Sequence, residues 1–435
     1  MKLSFISAAL IAAIGGGQFV YAAPTSSSTT ASTKTTSAAT KTTSYIPQHS
    51  PIFPSDMPVA TGVVTSYNYG PYNLSTSLPT TTLSGYPDPW SSPSTKSSEV
   101  KAAIKAIDWS LVPDIKPRKQ DADGNWVNDS DGDSDPYCWW SDTNCVKPKI
   151  NIPEDYYTCG RQGDWGLSYD DGPFNLYTDK NAATENPYAE PALYNFLAEH
   201  NNQKATLFYI GSNVATYPEA AKRAFNDGHE ICVHTWSHPA MTTQTNDQTV
   251  AELYWTLKAI KEVTGVTPKC WRPPQGDVDD RIRAIAWQMG LRTVIWDWDS
   301  NDWDMPAPGG GDLSPATVNG YFKGWIADQE AHNLTTGHIV LEHELNHATV
   351  NMTMKWMPTL QKVFNVIPAL ACNNVTNPYW EEQFVYPLSG FPAASTSGVI
   401  PSAAATATAS DAASATATGS TFDDSTLTAD ILLTA

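Results

Sequence analysis

The chain has 435 residues and a formal net charge of -19. Hydrophobic residues make up 41% of it, including 16 tryptophans, so it can bury one large core. The acidic balance argues against nucleic acid or an anionic membrane as partner, because like charges repel, whereas a neutral or cationic polymer is tolerated.

The N-terminus has the pattern of a secretory signal peptide. Met1 and Lys2 precede an apolar run over residues 3–14, and small residues follow at a spacing that a signal peptidase reads, which predicts a signal peptide over residues 1–22. The run is too short for a membrane span, and no other segment is a candidate transmembrane segment. The C-terminus lacks the apolar tail of a lipid-anchor signal. We therefore expect a secreted, soluble protein, extracellular or retained at the cell wall.

Composition divides the mature chain into four regions. Residues 23–100 are rich in Ser, Thr and Pro and residues 391–435 in Ala, Ser and Thr, so we expect both to be disordered. Residues 101–157 form an N-terminal extension, and residues 158–390 form the main folded domain. The extension contains an acidic loop that resembles a calcium site, but Trp140 stands where an EF-hand needs its bidentate Glu, which favours a solvated loop.

The six cysteines of an exported chain are candidates for disulfides. Cys138 and Cys145 could close a small ring, and a bridge between Cys159 and Cys372 would tie together the two ends of the folded domain. Cys232 and Cys270 could be paired or be buried free thiols. Five sequons are candidates for N-glycosylation: Asn73, Asn128, Asn333, Asn351 and Asn374.

From residue 164 onward, short apolar runs alternate with amphipathic ones. The runs "WGLSY", "ATLFYIG", "HEICVH", "KCWR", "RTVIWDW" and "HIVLEH" predict strands, each followed by a helical pattern. One predicted helix has Thr245 and Gln248 at capping-box spacing and Gly265 as its C-terminal stop. Repeated βα units indicate an α/β fold with a parallel sheet, most simply closed as a barrel.

Ionisable residues stand where the predicted strands end. In parallel barrels the reactive side chains collect at the carboxyl ends of the strands, so these residues should share one rim. They are Asp170, Asp171, His234, Arg272, Asp299, Asp302 and His343.

Asp171, His234 and His238 form the sharpest candidate site. "HTWSH" places two imidazoles four residues apart, which would point the same way on one helical turn, and a carboxylate from a neighbouring strand completes the set. Three N/O ligands with open positions for water indicate a catalytic metal site, which zinc suits best. The H-x-x-x-H spacing alone is equally compatible with a structural role.

The ordered motifs "SYDDGP", "HTWSH", "RPPQGD", "DSNDW" and "LEH" resemble those of the NodB-type polysaccharide deacetylases (carbohydrate esterase family four), most closely the fungal chitin deacetylases. The resemblance spans residues 158–347 and implies a distorted (β/α)7 barrel of the TIM type. It implies that Asp171, His234 and His238 hold one divalent ion, Zn²⁺ or alternatively Co²⁺.

The same resemblance assigns further roles. Asp170 would be the general base, oriented by Arg272, and His343 would be the general acid, partnered by Asp302. Trp303 and Leu341 would line the pocket for the acetyl methyl. Gln275 stands where many relatives carry Tyr, and it would contact substrate or supply a backbone N–H to the oxyanion.

The implied activity is hydrolysis of N-acetyl groups in chitin or N-acetylglucosamine oligomers, by a protein expected to be a monomer. One alternative is a deacetylase acting on xylan or peptidoglycan. Another is a wall protein that binds chitin without turnover, although such a protein would not need both a base and an acid around a metal.

Residues 343–347, "HELNH", match the zinc protease pattern H-E-x-x-H. That site requires both histidines on one face of a helix. The β-rich run before His343 instead predicts a strand end, with the helix beginning near Met354. This argues against a zinc protease.

Overall fold

The computed structural model describes residues 44–60, 81–122, 124–127, 134–174, 192–386 and 388. None of the helices within these ranges has the length and apolar composition needed to cross a bilayer.

A curled, mostly parallel sheet forms the centre of the molecule. Its neighbouring strands follow the order β1-β8-β2-β3-β4-β5-β6, with β7 paired to β8 and β9 paired to β2. Among the strands of the described residues, only β1 runs antiparallel to its neighbour. The strands are β1 Thr158–Cys159, β2 Asp164–Asp170, β3 Thr206–Tyr209, β4 Glu230–Val233, β5 Cys270–Trp271, β6 Arg292–Thr293, β7 Trp298–Asp299, β8 Gly337–His343 and β9 Asn365–Pro368.

The sheet curls back on itself. Tyr156, which leads into β1, forms a parallel bridge with Val294, which directly follows β6. Because β1 also pairs with β8, this bridge connects the two ends of the strand order. The prediction of a distorted (β/α)7 barrel of the TIM type is confirmed.

Helices cover the outside of the sheet. They are α1 Ser98–Ala106, α2 Trp140–Thr143, α3 Tyr194–Glu199, α4 Gly211–Thr216, α5 Pro218–Asn226, α6 Asn246–Thr264, α7 Asp280–Gln288, α8 Pro315–Glu330 and α9 His347–Val363. The longest, α6, begins with the predicted capping box of Thr245 and Gln248 and ends at Gly265 in the left-handed conformation. Its side chains are buried on nearly all sides because the N-terminal segments cover its outer face.

The N-terminal segments pack on this barrel. Ala60 donates its N–H to the carbonyl of Gly265, and Leu83 donates to Ala215. Glu99 of α1 accepts hydrogen bonds from Tyr254 and Lys258 of α6. The prediction of disorder through residue 100 is therefore wrong for residues 44–60 and 81–100, because their scattered aromatic and aliphatic side chains find partners on the barrel.

All six cysteines are paired. The bridges Cys138–Cys145 and Cys159–Cys372 confirm the predicted pairs. Cys232 and Cys270, whose state the sequence left open, form a third bridge between β4 and β5. The second bridge crosses β2, where a Cβ on Gly166 would lie only 2.8 Å from Cys159 Sγ.

The secondary structure differs from the predicted elements in several places. The run "RTVIWDW" is two short strands, β6 and β7, and α4 and β9 were not predicted. The last helix begins at His347, where Asn346 supplies the cap, and not near Met354.

Candidate metal centre and active site

Strand register brings the predicted residues together at one rim. Asp170 at the end of β2 is the direct partner of His343 at the end of β8. Arg272 follows β5 and donates its backbone N–H to Val233, the last residue of β4, so that it lies beside His234. Side chains that are far apart in sequence thereby converge, as expected for the carboxyl ends of parallel strands.

Asp171, His234 and His238 form the candidate metal centre. One ligand atom from each lies within 4.8 Å of the other two. Asp171 Oδ1 is buried without a hydrogen-bond donor among the described residues, and it lies 3.5 Å from His234 Nε2 and 3.4 Å from His238 Nε2. His234 Nδ1 lies 2.8 Å from the carbonyl of Arg272, so the ring donates there and presents the lone pair of Nε2 to the centre. This donor set fits a divalent cation with open coordination positions.

The protonation states of two of these residues suit a cation. Burial lowers the pKa of His238 to about 4, although Asp171 opposes the shift, so its imidazole is neutral at neutral pH. Burial alone would raise the pKa of Asp171, but His238 and His234 outweigh it and hold the pKa below its ordinary value. A carboxylate beside a neutral imidazole is the form in which both bind metal.

The loop that carries the two histidines is not helical, which corrects the expectation of a helical turn. Thr235 and His238 have left-handed backbone, with φ of 65° and 58°. Glu252 of α6 holds the loop: its carboxylate accepts the N–H groups of Trp236 and Ser237 at 2.9 and 2.8 Å and the Ser237 hydroxyl at 2.6 Å. The histidines therefore converge because a buried side chain on another element fixes the loop.

Asp170 and Arg272 form a buried ion pair beside the metal centre. Arg272 Nη1 lies 2.7 Å from Asp170 Oδ1 and 3.0 Å from Ser168 Oγ. The guanidinium carbon of Arg272 also lies 4.0 Å from the centre of the Phe208 ring. The other carboxylate oxygen, Asp170 Oδ2, lies 3.7 Å from His234 Nε2, so it faces the candidate metal centre. Arg272 thus fixes one oxygen and leaves the second turned toward the site.

His343 and Asp302 form the second buried pair. Asp302 Oδ1 lies 2.7 Å from His343 Nδ1, and Oδ2 accepts the backbone N–H of His343 at 3.0 Å. Burial opposes a charge on His343, but Asp302 outweighs it and raises the pKa to about 10. His343 is therefore an imidazolium at neutral pH, with Nδ1 held and Nε2 free to donate a proton.

The protease pattern does not form a site. Its first histidine, His343, pairs with Asp302, and its second, His347, begins α9. Glu344 is buried, accepts a hydrogen bond from Tyr194, and has its pKa raised by burial. A Cβ on Gly172 would overlap the Glu344 carboxyl, so this glycine makes room for it.

The remaining predicted residues lie around the rim. Trp303 follows Asp302 and is 39% exposed, whereas Leu341 is buried on β8. Gln275 is exposed and left-handed, with φ of 59°. Asp299 accepts the N–H of Asn301 and so caps a turn.

The sequons at Asn333, Asn351 and Asn374 are exposed, while Asn73, Asn128 and the acidic stretch 128–133 lie outside the described residues.

Two supporting residues were not predicted from sequence. Glu252 lies within an apolar helical run, where the only signal was a carboxylate on a buried face. Asn213 of α4 donates from Nδ2 to the carbonyl of Asp171 at 2.7 Å, and the short helix that carries it was itself not predicted.

The chain is similar to several known proteins. A family model described as polysaccharide deacetylase matches residues 158–294. A chitin deacetylase of Amylomyces rouxii is 39% identical over 75% of this chain and 75% of its own length. Chitin deacetylase 2 of Cryptococcus neoformans is 37% identical over 74% of this chain and 68% of its own length. A solved chitin deacetylase structure from Colletotrichum lindemuthianum covers 53% of this chain and 97% of its own, with 23% identity and a TM-score of 0.44.

Proposed function

Since the chain belongs to the polysaccharide deacetylase family, we propose that it is an exported, zinc-dependent chitin deacetylase that releases acetate from N-acetylglucosamine units and leaves chitosan. The observation that carries the proposal is the placement of two buried pairs, Asp170–Arg272 and His343–Asp302, at the rim that also carries the three-ligand centre.

Asp171, His234 and His238 would hold the ion. When bound there, a divalent ion supplies Lewis acidity, which polarises the acetamide carbonyl and makes water easier to deprotonate. Zinc is proposed because two imidazoles and one carboxylate with open positions are a donor set that it favours.

Asp170 is the proposed general base. Its Oδ2 accepts a proton from the attacking water while Arg272 keeps Oδ1 fixed. The water oxygen adds to the acetamide carbon, and a backbone N–H at the rim, with Gln275 as the candidate, donates to the resulting oxyanion.

His343 is the proposed general acid. The C–N bond breaks only when the nitrogen receives a proton, because an amide anion is a poor leaving group. His343 is charged at neutral pH and can donate that proton from Nε2, while Asp302 holds Nδ1. The products are acetate and a glucosamine unit. Trp303 and Leu341 are proposed to enclose the acetyl methyl.

The proposed location is outside the cell, including the cell wall. Three disulfides support it, since such bridges persist in oxidising compartments. The predicted signal peptide lies outside the described residues. We propose that the protein acts as a monomer.

Acetate release from N-acetylglucosamine oligomers, measured with zinc, with a chelator and after zinc is restored, tests the proposal. We expect activity that the chelator abolishes and zinc restores, with one zinc bound per chain. Release from acetylated xylan or peptidoglycan but not from chitin oligomers would contradict the substrate. Zinc binding and chitin binding with no acetate release would contradict the activity and favour a wall-binding protein.

A further inference from the structure

Trp90 is an exposed tryptophan that an N-terminal segment carries to the rim of the barrel. Its backbone N–H donates to Ser212 Oγ at 2.8 Å, and Ser212 Oγ donates to the carbonyl of Trp236 at 2.6 Å. Trp236 lies between the two metal-centre histidines in the chain. Trp90 is thus two hydrogen bonds away from the loop that presents His234 and His238.

The segment over residues 81–90, which we call the rim segment, is firmly held. The Tyr86 ring stacks on Trp236 with 5.8 Å between centroids, and its hydroxyl donates to Glu262 at 2.5 Å. Trp236 Nε1 donates to the carbonyl of Asp88 at 3.3 Å. These contacts hold Trp90 beside the loop over residues 234–238, which we call the metal-centre loop.

The backbone at Trp90 is unfavourable for a tryptophan. Residues 88–91 form a turn in which Ser91 donates its N–H to Asp88, Pro89 is second and Trp90 is third. Trp90 has φ of 60°, a conformation that favours Gly or Asn at this place in a turn. The residue is nonetheless 50% exposed. Since neither the turn nor the core favours a tryptophan at this position, its presence points to a function of the exposed side chain.

We propose that Trp90 is a sugar-binding residue, stacking on a pyranose ring of a β-1,4-linked N-acetylglucosamine chain beyond the unit that is deacetylated. This deepens the proposed function and rests on it. One face of each pyranose ring presents C–H groups, which pack on the electron-rich face of an indole, and a neutral polymer needs no charged partner. Trp90 therefore makes longer chains better substrates than short ones.

The test compares Trp90→Asn with wild type on N-acetylglucosamine oligomers from dimer to hexamer. Asparagine tolerates the left-handed backbone, so the turn is retained. We expect KM for the hexamer to rise about tenfold, a change that corresponds to loss of one aromatic contact. KM for the dimer and the melting temperature should stay unchanged. Tyr45→Ala is the matched control, because Tyr45 is 57% exposed but packs against Trp287 of α7, away from the metal-centre loop.

An equal change in KM for dimer and hexamer, or no change for either, would overturn the role of Trp90. If wild type releases acetate while Trp90→Asn behaves like Tyr45→Ala, this inference fails and the proposed function stands. If wild type releases no acetate, the proposed function fails. Hexamer binding measured by calorimetry then decides the matter: about tenfold weaker binding by Trp90→Asn supports the sugar contact, and equal binding overturns it.

Discussion

At the barrel rim, Asp170, His343 and Arg272 are placed by backbone pairing between neighbouring strands. In the N-terminal segments, Tyr86 and Asp155 are placed by side-chain contacts with residues more than a hundred positions away. Strand pairing positions a side chain through the regular backbone hydrogen bonds of the sheet, whereas side chains in the segments are held by individual contacts. Substitutions of the reacting groups at the rim should therefore change chemistry, whereas substitutions of buried ion pairs in the segments should change stability and leave the chemistry in place.

The largest effect is expected for Asp170→Asn. The amide retains the shape and a contact to Arg272 but cannot accept the proton of water, so kcat should fall about 1,000-fold or more. Zinc content should remain near that of wild type, whereas the melting temperature should fall, because buried Arg272 loses its charged partner. Kinetics together with metal analysis provide the measurement.

Asp164→Asn is the matched control for this substitution. Asp164 begins the same strand at its opposite end, where it contacts Arg161 and Asn365. The control should keep kcat per folded molecule. Turnover that survives in Asp170→Asn would place the base elsewhere.

Asp155→Asn should lower stability and leave catalysis unchanged. Arg283 of α7 is fully buried and lies 2.8 Å from Asp155 while also donating to the carbonyls of Cys138 and Cys145. Removing the carboxylate charge takes away the nearest counter-ion of the guanidinium and leaves only the longer contact of 3.6 Å to Asp280, which should cost about 3 kcal/mol of unfolding free energy. Urea unfolding measures the loss, and kcat of the folded fraction should be unchanged.

The exposed pair Lys147–Glu154 supplies a control in the same segment. Its charged groups are 3.6 Å apart and largely exposed, so Glu154→Gln should change the unfolding free energy by less than about 0.5 kcal/mol. If Asp155→Asn is equally mild, the N-terminal segment does not depend on this pair.

Asp302→Asn should move the alkaline limb of the pH–kcat profile. Asp302 raises the pKa of His343 to about 10, and the reaction needs the protonated form, so activity falls as pH rises through that pKa. Without the carboxylate the pKa drops, the limb moves to lower pH, and kcat at pH 8 should fall about tenfold. Asp304→Asn, two residues further on, should leave the limb in place. An unmoved limb in Asp302→Asn would exclude His343 as the acid.

The smallest effect tests which region holds the metal-centre loop. Glu252→Gln replaces the carboxylate that accepts hydrogen bonds from Trp236 and Ser237, and we expect zinc affinity to fall about tenfold. Tyr86→Phe removes only the hydrogen bond to Glu262 and keeps the ring on Trp236, so zinc affinity should not change. Competition with a zinc indicator measures both. Equal losses would mean that the rim segment determines the loop as much as α6 does, and a loss in Tyr86→Phe alone would assign that role to the rim segment.

Much of the rim could be predicted from sequence. Each of Asp170, Arg272 and His343 directly ends or follows an apolar strand, and the position of a residue along a strand fixes its height in the sheet. The loop over residues 234–238 was misjudged because four-residue spacing also fits a helix, whereas left-handed backbone at Thr235 and His238 depends on Glu252. That carboxylate lies fifteen residues beyond Ser237 on another element, and its only signal in the sequence is its place on a buried helix face.

The sequence by itself determined the alternation of strands and helices, the capping of α6 and the residues that the strands deliver to one rim, because these follow from short-range periodicity. Only the tertiary structure decided the bridge between Cys232 and Cys270, the path of the metal-centre loop and the folding of residues 81–100 onto the barrel. Each of these depends on contacts between side chains remote in sequence, whose partners are chosen by three-dimensional packing.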